Sequence, residues 1–232
     1  MRAAEKVFAI GIFPLLIGCA NATDQVALPT HEAPLDWNDI LQARYAGTDC
    51  PLISGVYRSS GTERIFSQID GKPQAPRDGS AGPWKIGYSK RSGAQQVLDM
   101  TDHRVPKGLE LGEVQIVQLS GTRYEVYRPQ KAGKVEVDVF DSIMGDFNCI
   151  GGTIHFPTNR NSGSSDGTTH YIESTRSMRV SKDGALLIKS NLGSKSSSLI
   201  FFRSEGVFEI YARFVRLRHP DQSKESKGPP TN

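Results

Sequence analysis

Val114-Gln115-Ile116-Val117-Gln118-Leu119-Ser120-Gly121-Thr122-Arg123-Tyr124-Glu125-Val126-Tyr127 is the stretch on which the fold turns. Val114, Ile116 and Gln118 alternate with Gln115, Val117 and Leu119, the two-residue period of a strand. Ser120-Gly121-Thr122 supplies turn chemistry, and the chain returns with Tyr124 and Val126 on one face. The unit is a hairpin, and the same pattern recurs in both directions from it. Downstream, residues 134–139 alternate strictly, which places Val135, Val137 and Val139 inward. Residues 148–154 continue the sheet and carry Cys149 into it. Lys182-Asp183-Gly184 is a second hairpin turn, between strands at 177–180 and 185–189. Residues 198–202 and 208–214 close the domain, with Phe208, Ile210, Ala212 and Phe214 on one face. Upstream, Trp84, Ile86 and Tyr88 share a strand face. Residues 50–57 read as the first strand, in which Gly55 marks a bulge or a close backbone approach.

Two segments read as loops. Residues 70–83 hold Gly71, Pro73, Pro76, Gly79, Gly82 and Pro83, and residues 158–168 are small and polar. One short N-terminal helix is expected over 36–45, with Asp36 as N-cap and Trp37, Ile40, Leu41 and Tyr45 at helical spacing. Roughly nine to eleven short strands separated by turns predict an all-β fold. A single antiparallel barrel is favoured, lipocalin-like or a rolled meander, because the first and last strands are both apolar and closure removes exposed edges. A sandwich is the alternative.

Of the 232 residues, 23% are charged, and the net charge of +3 is close to balance. Nucleic-acid binders concentrate basic surface, so no nucleic-acid partner is expected. The N-terminus has its own pattern. Arg2 and Lys6 precede an apolar run from Val7 to Gly18, too short to span a bilayer, as in a secretory signal. Its end, Leu16-Ile17-Gly18-Cys19, resembles the bacterial lipobox, in which the cysteine is acylated and becomes the first mature residue. The resemblance implies a permanent lipid anchor at Cys19, since two or more acyl chains hold where one is reversible. Ala20, where an Asp would favour inner-membrane retention in such proteins, points to the outer membrane, periplasmic face. The competing reading is cleavage at Ala20-Asn21-Ala22, which releases a soluble periplasmic protein.

With Cys19 lipidated, Cys50 and Cys149 remain as an even pair in an oxidising compartment. A disulfide is the economical reading; two separately buried thiols are the alternative. The domain plan is a signal at 1–18, a tether at 19–35, a β-rich domain at 36–219 and a disordered tail at 220–232. Lipobox, tether, Cys50-Pro51 with Ser54-Gly55 and Tyr57, the distant Cys149, the Lys182-Asp183-Gly184-Ala185-Leu186 hairpin and Tyr211-Ala212-Arg213-Phe214 together resemble small uncharacterised lipoproteins of proteobacteria. The resemblance implies lipidation, the cysteine pair and a β-rich domain, and carries no activity.

Catalytic patterns are weak. His31, His103, His155, His170 and His219 form no metal-ligand spacing, and no metal or cofactor is expected. Ser54-Gly55 and Ser120-Gly121 lack the G-x-S-x-G frame. Asp138 and Asp141 read as a solvated face. Arg213, Arg216 and Arg218 make a basic stretch that would suit anionic headgroups, or else lie as ordinary solvated arginines. The favoured function is non-catalytic binding of a small or lipid-like ligand, with Trp84, Tyr88, Phe208 and Phe214 as candidate lining. The alternatives are an interaction lipoprotein docking an envelope protein and, third, a soluble periplasmic hydrolase or inhibitor.

Overall fold

The structure, a computed structural model, describes residues 34–82, 95–165, 168–198 and 203–218. A single helical turn, α1 (Leu35–Asn38), precedes the strands β1 (Gly55–Arg58), β2 (Gly61–Ile69), β3 (Lys72–Pro73), β4 (Arg77–Ala81), β5 (Gln95–Asp99), β6 (Glu113–Ser120) and β7 (Arg123–Gln130). Then follow β8 (Lys134–Asp141), β9 (Asn148–Ile150), β10 (Thr153–Ser165), β11 (Thr168–Val180), β12 (Leu186–Ser198), β13 (Arg203–Phe214) and β14 (Arg216–Arg218). The all-β expectation holds. The strands form two antiparallel sheets, ordered β14-β1-β6-β7-β8-β5 and β3-β2-β13-β12-β11-β10-β9, with β4 also paired to β2.

Two strand pairs carry the chain from one sheet to the other. β1 runs through Ser59 and Ser60 into β2, and β13 runs through Val215 into β14. β1 pairs with β14 and β2 with β13, so both partners turn the corner together. Gly61 stands at this corner. A Cβ there would lie 2.2 Å from the Arg213 carbonyl oxygen, so only glycine permits the backbones to approach so closely. At Gly55 a Cβ would meet Arg216 Nε at 2.9 Å, and the β1–β14 register shifts at Val56, consistent with the close approach read from the sequence.

Closure, the favoured expectation, does not occur: neither sheet closes into a barrel. β8 is already paired with β7 and β5, and β10 with β9 and β11, so the sheets end on that side at the unjoined edges of β5 and β9. Phe140 on β8 meets Phe156 on β10 edge-on at 6.0 Å, and Tyr124 lies between Phe140 (4.9 Å, stacked) and Phe147 (5.0 Å). The main core lies between the sheets and joins Tyr57, Ile116, Val126 and Phe140 of the first to Ile154, Met178, Leu186 and Phe214 of the second.

Both outer faces are also covered. On the first sheet, Val56, Tyr127, Val135 and Val137 pack against Val105 and Leu109 of the β5–β6 connection. On the second, Trp37 packs edge-on against Tyr211 at 5.1 Å and beside Leu187. The valines of β8 are therefore inside a second cluster, not the inter-sheet core, and Val139 is only half-buried.

Other expectations are corrected. The helix expected over 36–45 is one turn, because the next backbone groups pair with strand ends: Leu41 N–H donates to Val180 O and Tyr45 N–H to Cys50 O. Residues 70–83 contain β3 and β4, and 158–168 lie largely in β10 and β11, whose ladder runs from Asn159 opposite Ser174 to Ser165 opposite Thr168. Cys19, Trp84, Tyr88, residues 20–33 of the tether and the tail lie outside the described residues, and the expected tether end at Leu35 is already the start of α1.

Candidate functional site

Cys50 and Cys149 form a disulfide with Cα atoms 5.0 Å apart. It fixes the segment before β1 to the edge strand β9, at the end where Gly152 N–H also donates to Asp49 O. The loop it closes spans 99 positions, which corresponds to an upper figure of about 4.7 kcal/mol in the chain-entropy account.

Above the apolar core, the inner face of the first sheet becomes polar. Strand alternation sets Tyr124, Val126 and Arg128 of β7 on the inner face, opposite Phe140, Asp138 and Glu136 of β8. Arg128 and Asp138 are ion-paired, and Arg128 Nη1 stands 3.8 Å from Glu136 Oε1. Both members of the pair are buried, at 7% and 9% exposure. Asp138 was expected on a solvated face, so this is a correction: ten positions separate it from Arg128, and only the β7–β8 ladder brings them together. Burial raises the Asp138 carboxyl, Arg128 opposes the rise and Glu136 adds to it.

Tyr124 continues the cluster. Its hydroxyl is fully buried and has no hydrogen-bond partner; nor have Arg128 Nε and Nη1. Burial pushes the Tyr124 hydroxyl far above its usual range; the Asp146 and Asp138 carboxylates add to this, and Arg176 on β11 offsets part of it. Burial in turn lowers the Arg176 guanidinium, with Tyr124 opposing. Arg176 shares a register row with Ser190, Ile210 and Ile65, and the next inner-face row is Ser174, Leu192, Phe208 and Ser67. Leu192, Phe208, Ile210 and Ile65 are half-buried there. Buried donors thus stand beside an apolar strip. Such an arrangement suits holding a hydrogen-bond acceptor attached to an apolar body, because an unmade bond at a buried donor is costly.

Phe208 lies in this strip, whereas Phe214 is sealed in the core at 0% exposure and offers no surface to a ligand. The basic stretch is partnered internally. Arg213 pairs with Asp183, Arg216 covers the Tyr57 ring and bonds its hydroxyl, and Arg218 bonds Glu113 at 2.7 Å and Gly108 O. That leaves little reason to assign it to anionic headgroups. His103 is exposed beside Asp102, and among the described residues no group of three or more ligating side chains gathers for a metal. A separate cavity of about 280 Å³ lies on the outer face of the second sheet, over Trp37, Leu187 and Tyr211, rimmed by Arg64 and Asp78. Sequence reading missed both the Arg128–Asp138–Tyr124 cluster and this cavity. The parity of Tyr124, Val126 and Arg128 was the available signal for the first.

No helix among the described residues is long and apolar enough to cross a membrane. No protein-family model, no curated protein and no solved structure matches this chain.

Proposed function

We propose that this is a lipid-anchored protein of the bacterial envelope, acylated at Cys19, whose β domain binds a lipid-like ligand without chemistry. Ala20, directly after Cys19, supports the periplasmic face of the outer membrane as its location. The Cys50–Cys149 disulfide supports an exported chain, since such bonds persist in oxidising compartments. The observation that carries the ligand reading is the set of buried donors that make no hydrogen bond, Arg128 Nε, Arg128 Nη1 and the Tyr124 hydroxyl, beside the strip of Leu192, Phe208 and Ile210. An apolar body would lie on the strip with its acceptor group toward the donors.

The test is the mass of the protein extracted from its native membrane, under native and then denaturing, non-reducing conditions. A denatured mass above that of residues 19–232 by a diacylglyceryl group and a fatty acid is expected. A mass fitting residues 23–232 would overturn the anchor. A native mass exceeding the denatured one by a few hundred daltons is expected for a retained lipid-like ligand. Equal masses, or an excess of protein size, would overturn the ligand reading, the latter in favour of a docking lipoprotein.

A further inference from the structure

The turn joining β8 to β9 carries Ile143 and Met144, each 79% exposed, the most exposed large apolar side chains among the described residues. Leu119 at the end of β6 (49%) and Ile150 at the end of β9 (61%) are exposed at the same end of the molecule. Ser142 N–H donates to Thr122 O, which fastens this turn to the β6–β7 hairpin. Phe147, buried beside Tyr124, roots it in the core.

The backbone of the turn is saturated. Asp141 N–H donates to Asp146 Oδ2, Ser142 N–H to Thr122 O and Ile143 N–H to Asp141 Oδ1. Met144 and Asp146 N–H both donate to Asp141 O, and Gly145 N–H donates to Ser142 O. Six successive amides thus have internal acceptors, and the two carboxylates that flank the turn are folded inward onto its amides. A surface that meets lipid needs this, because an amide without a partner is expensive away from water. Protein interfaces are enriched in aromatic residues, arginine and methionine; Ile143 and Met144 bring neither a ring nor a guanidinium, and methionine is common to both settings.

We propose that Ile143 and Met144 form a membrane-docking tip that enters the interfacial layer of a phospholipid bilayer, with Leu119 and Ile150 at its rim. The inference rests on the anchored reading for its source of proximity. Fifteen positions separate Cys19 from Pro34, where the described chain starts, a span of up to about 50 Å. That is ample for the domain to set this end against the membrane that holds the lipid.

The experiment uses the full chain in phosphatidylcholine–phosphatidylglycerol vesicles with brominated acyl chains. Met144→Trp is the reporter, and Ile172→Trp, on β11 where it is 42% exposed, is the control. Quenching several-fold greater for Met144→Trp is expected; equal quenching would overturn the proposal. A second arm removes the anchor with Cys19→Ser and follows vesicle flotation. Adding Ile143→Ser and Met144→Ser should lower partitioning about tenfold or more; unchanged partitioning would overturn the tip. If the native chain proves to lack the lipid, the anchored reading fails while this arm still reports on the tip. If the serine pair instead converts a vesicle-free dimer into a monomer, the surface is for self-association and the proposal falls.

Discussion

Arg216 lies against Tyr57 across the β1–β14 ladder. Its guanidinium covers the ring at 5.3 Å, and its Nη2 donates to the Tyr57 hydroxyl at 2.8 Å, while that hydroxyl donates onward to Ile53 O at 2.8 Å. The contact joins the last described strand to the first and fills the space left by the missing side chains of Gly55 and Gly184. Arg216→Ala removes a charge-assisted bond to a buried hydroxyl together with the ring contact. A loss of about 2 kcal/mol is expected in urea unfolding. A midpoint unchanged from the parent would show that the corner is held by backbone pairing alone.

Gly61→Ala tests the corner itself. The added carbon meets backbone, the Arg213 carbonyl at 2.2 Å, which no side-chain rotation relieves. The expected cost is about 3 kcal/mol or more. Gly163→Ala is the matched control, because nothing lies within 4 Å of a Cβ there and its φ is ordinary. It should be neutral or stabilise by up to about 1 kcal/mol. Equal effects of the two substitutions in thermal unfolding would refute the steric account.

The disulfide makes stability depend on redox state. Reductant should lower the melting temperature of the parent by several degrees or more, within the ceiling of about 4.7 kcal/mol set by loop entropy. Cys149→Ser should start at the lower value and ignore reductant. A parent that is equally indifferent would sink the claim.

Tyr124→Phe and Arg128→Met separate binding from folding. The Tyr124 hydroxyl has no partner, so its removal is expected to be neutral or to stabilise by up to about 1 kcal/mol. Arg128→Met leaves Asp138 buried without its cation and should cost about 3 kcal/mol. Asp138→Leu added to Arg128→Met should recover much of that. Failure of the double variant to recover in a denaturant cycle would mean that Arg128 acts through packing and not through charge.

Alkaline pH should unfold the protein. Burial raises the hydroxyls of Tyr57, Tyr124, Tyr127 and Tyr211; Arg216 partly offsets this at Tyr57, while Glu125 and Glu209 add to it at Tyr127 and Tyr211. An acid raised on folding contributes stability that is full below its unfolded pKa, about 10 for tyrosine, and is lost as pH rises beyond it. Absorbance titration should therefore show these phenols ionising together with the loss of ellipticity. Ionisation of all seven tyrosines near pH 10 in a still-folded protein would contradict the burial.

The β6–β7 hairpin was legible because Tyr124 and Val126 face a core while the turn carries its own chemistry, but the turn is shorter than the three residues expected: Ser120 pairs with Arg123, and the register shifts between Gln118 and Ser120. β8 misled in a specific way. Both of its faces are covered, so strict alternation of valines pointed to an interior without saying which one. The far halves of β10 and β11 read as loop because Ser, Thr, Asn and Gly signal turns, whereas their neighbours in the ladder decide their conformation. Trp37, Ile40, Leu41 and Tyr45 have helical spacing, but Trp37 packs on Tyr211 and Leu41 on the main core, so the spacing is incidental. The polar cluster was hidden for a topological reason. Arg128, Asp138 and Arg176 sit on three strands, and no local pattern joins them.

The corner shared by β1–β2 and β13–β14 also governs when the domain can form. Tyr57 and Arg216 are 159 positions apart, and β2 has no neighbour on its inner edge until β13 arrives. Contacts of such separation are made late and slowly, since the ordering of most of the chain precedes any return from them. A ribosome that has delivered only about the first two hundred residues holds a chain whose opening strands still lack their partner. Completion of the fold is thereby tied to synthesis of the last strand.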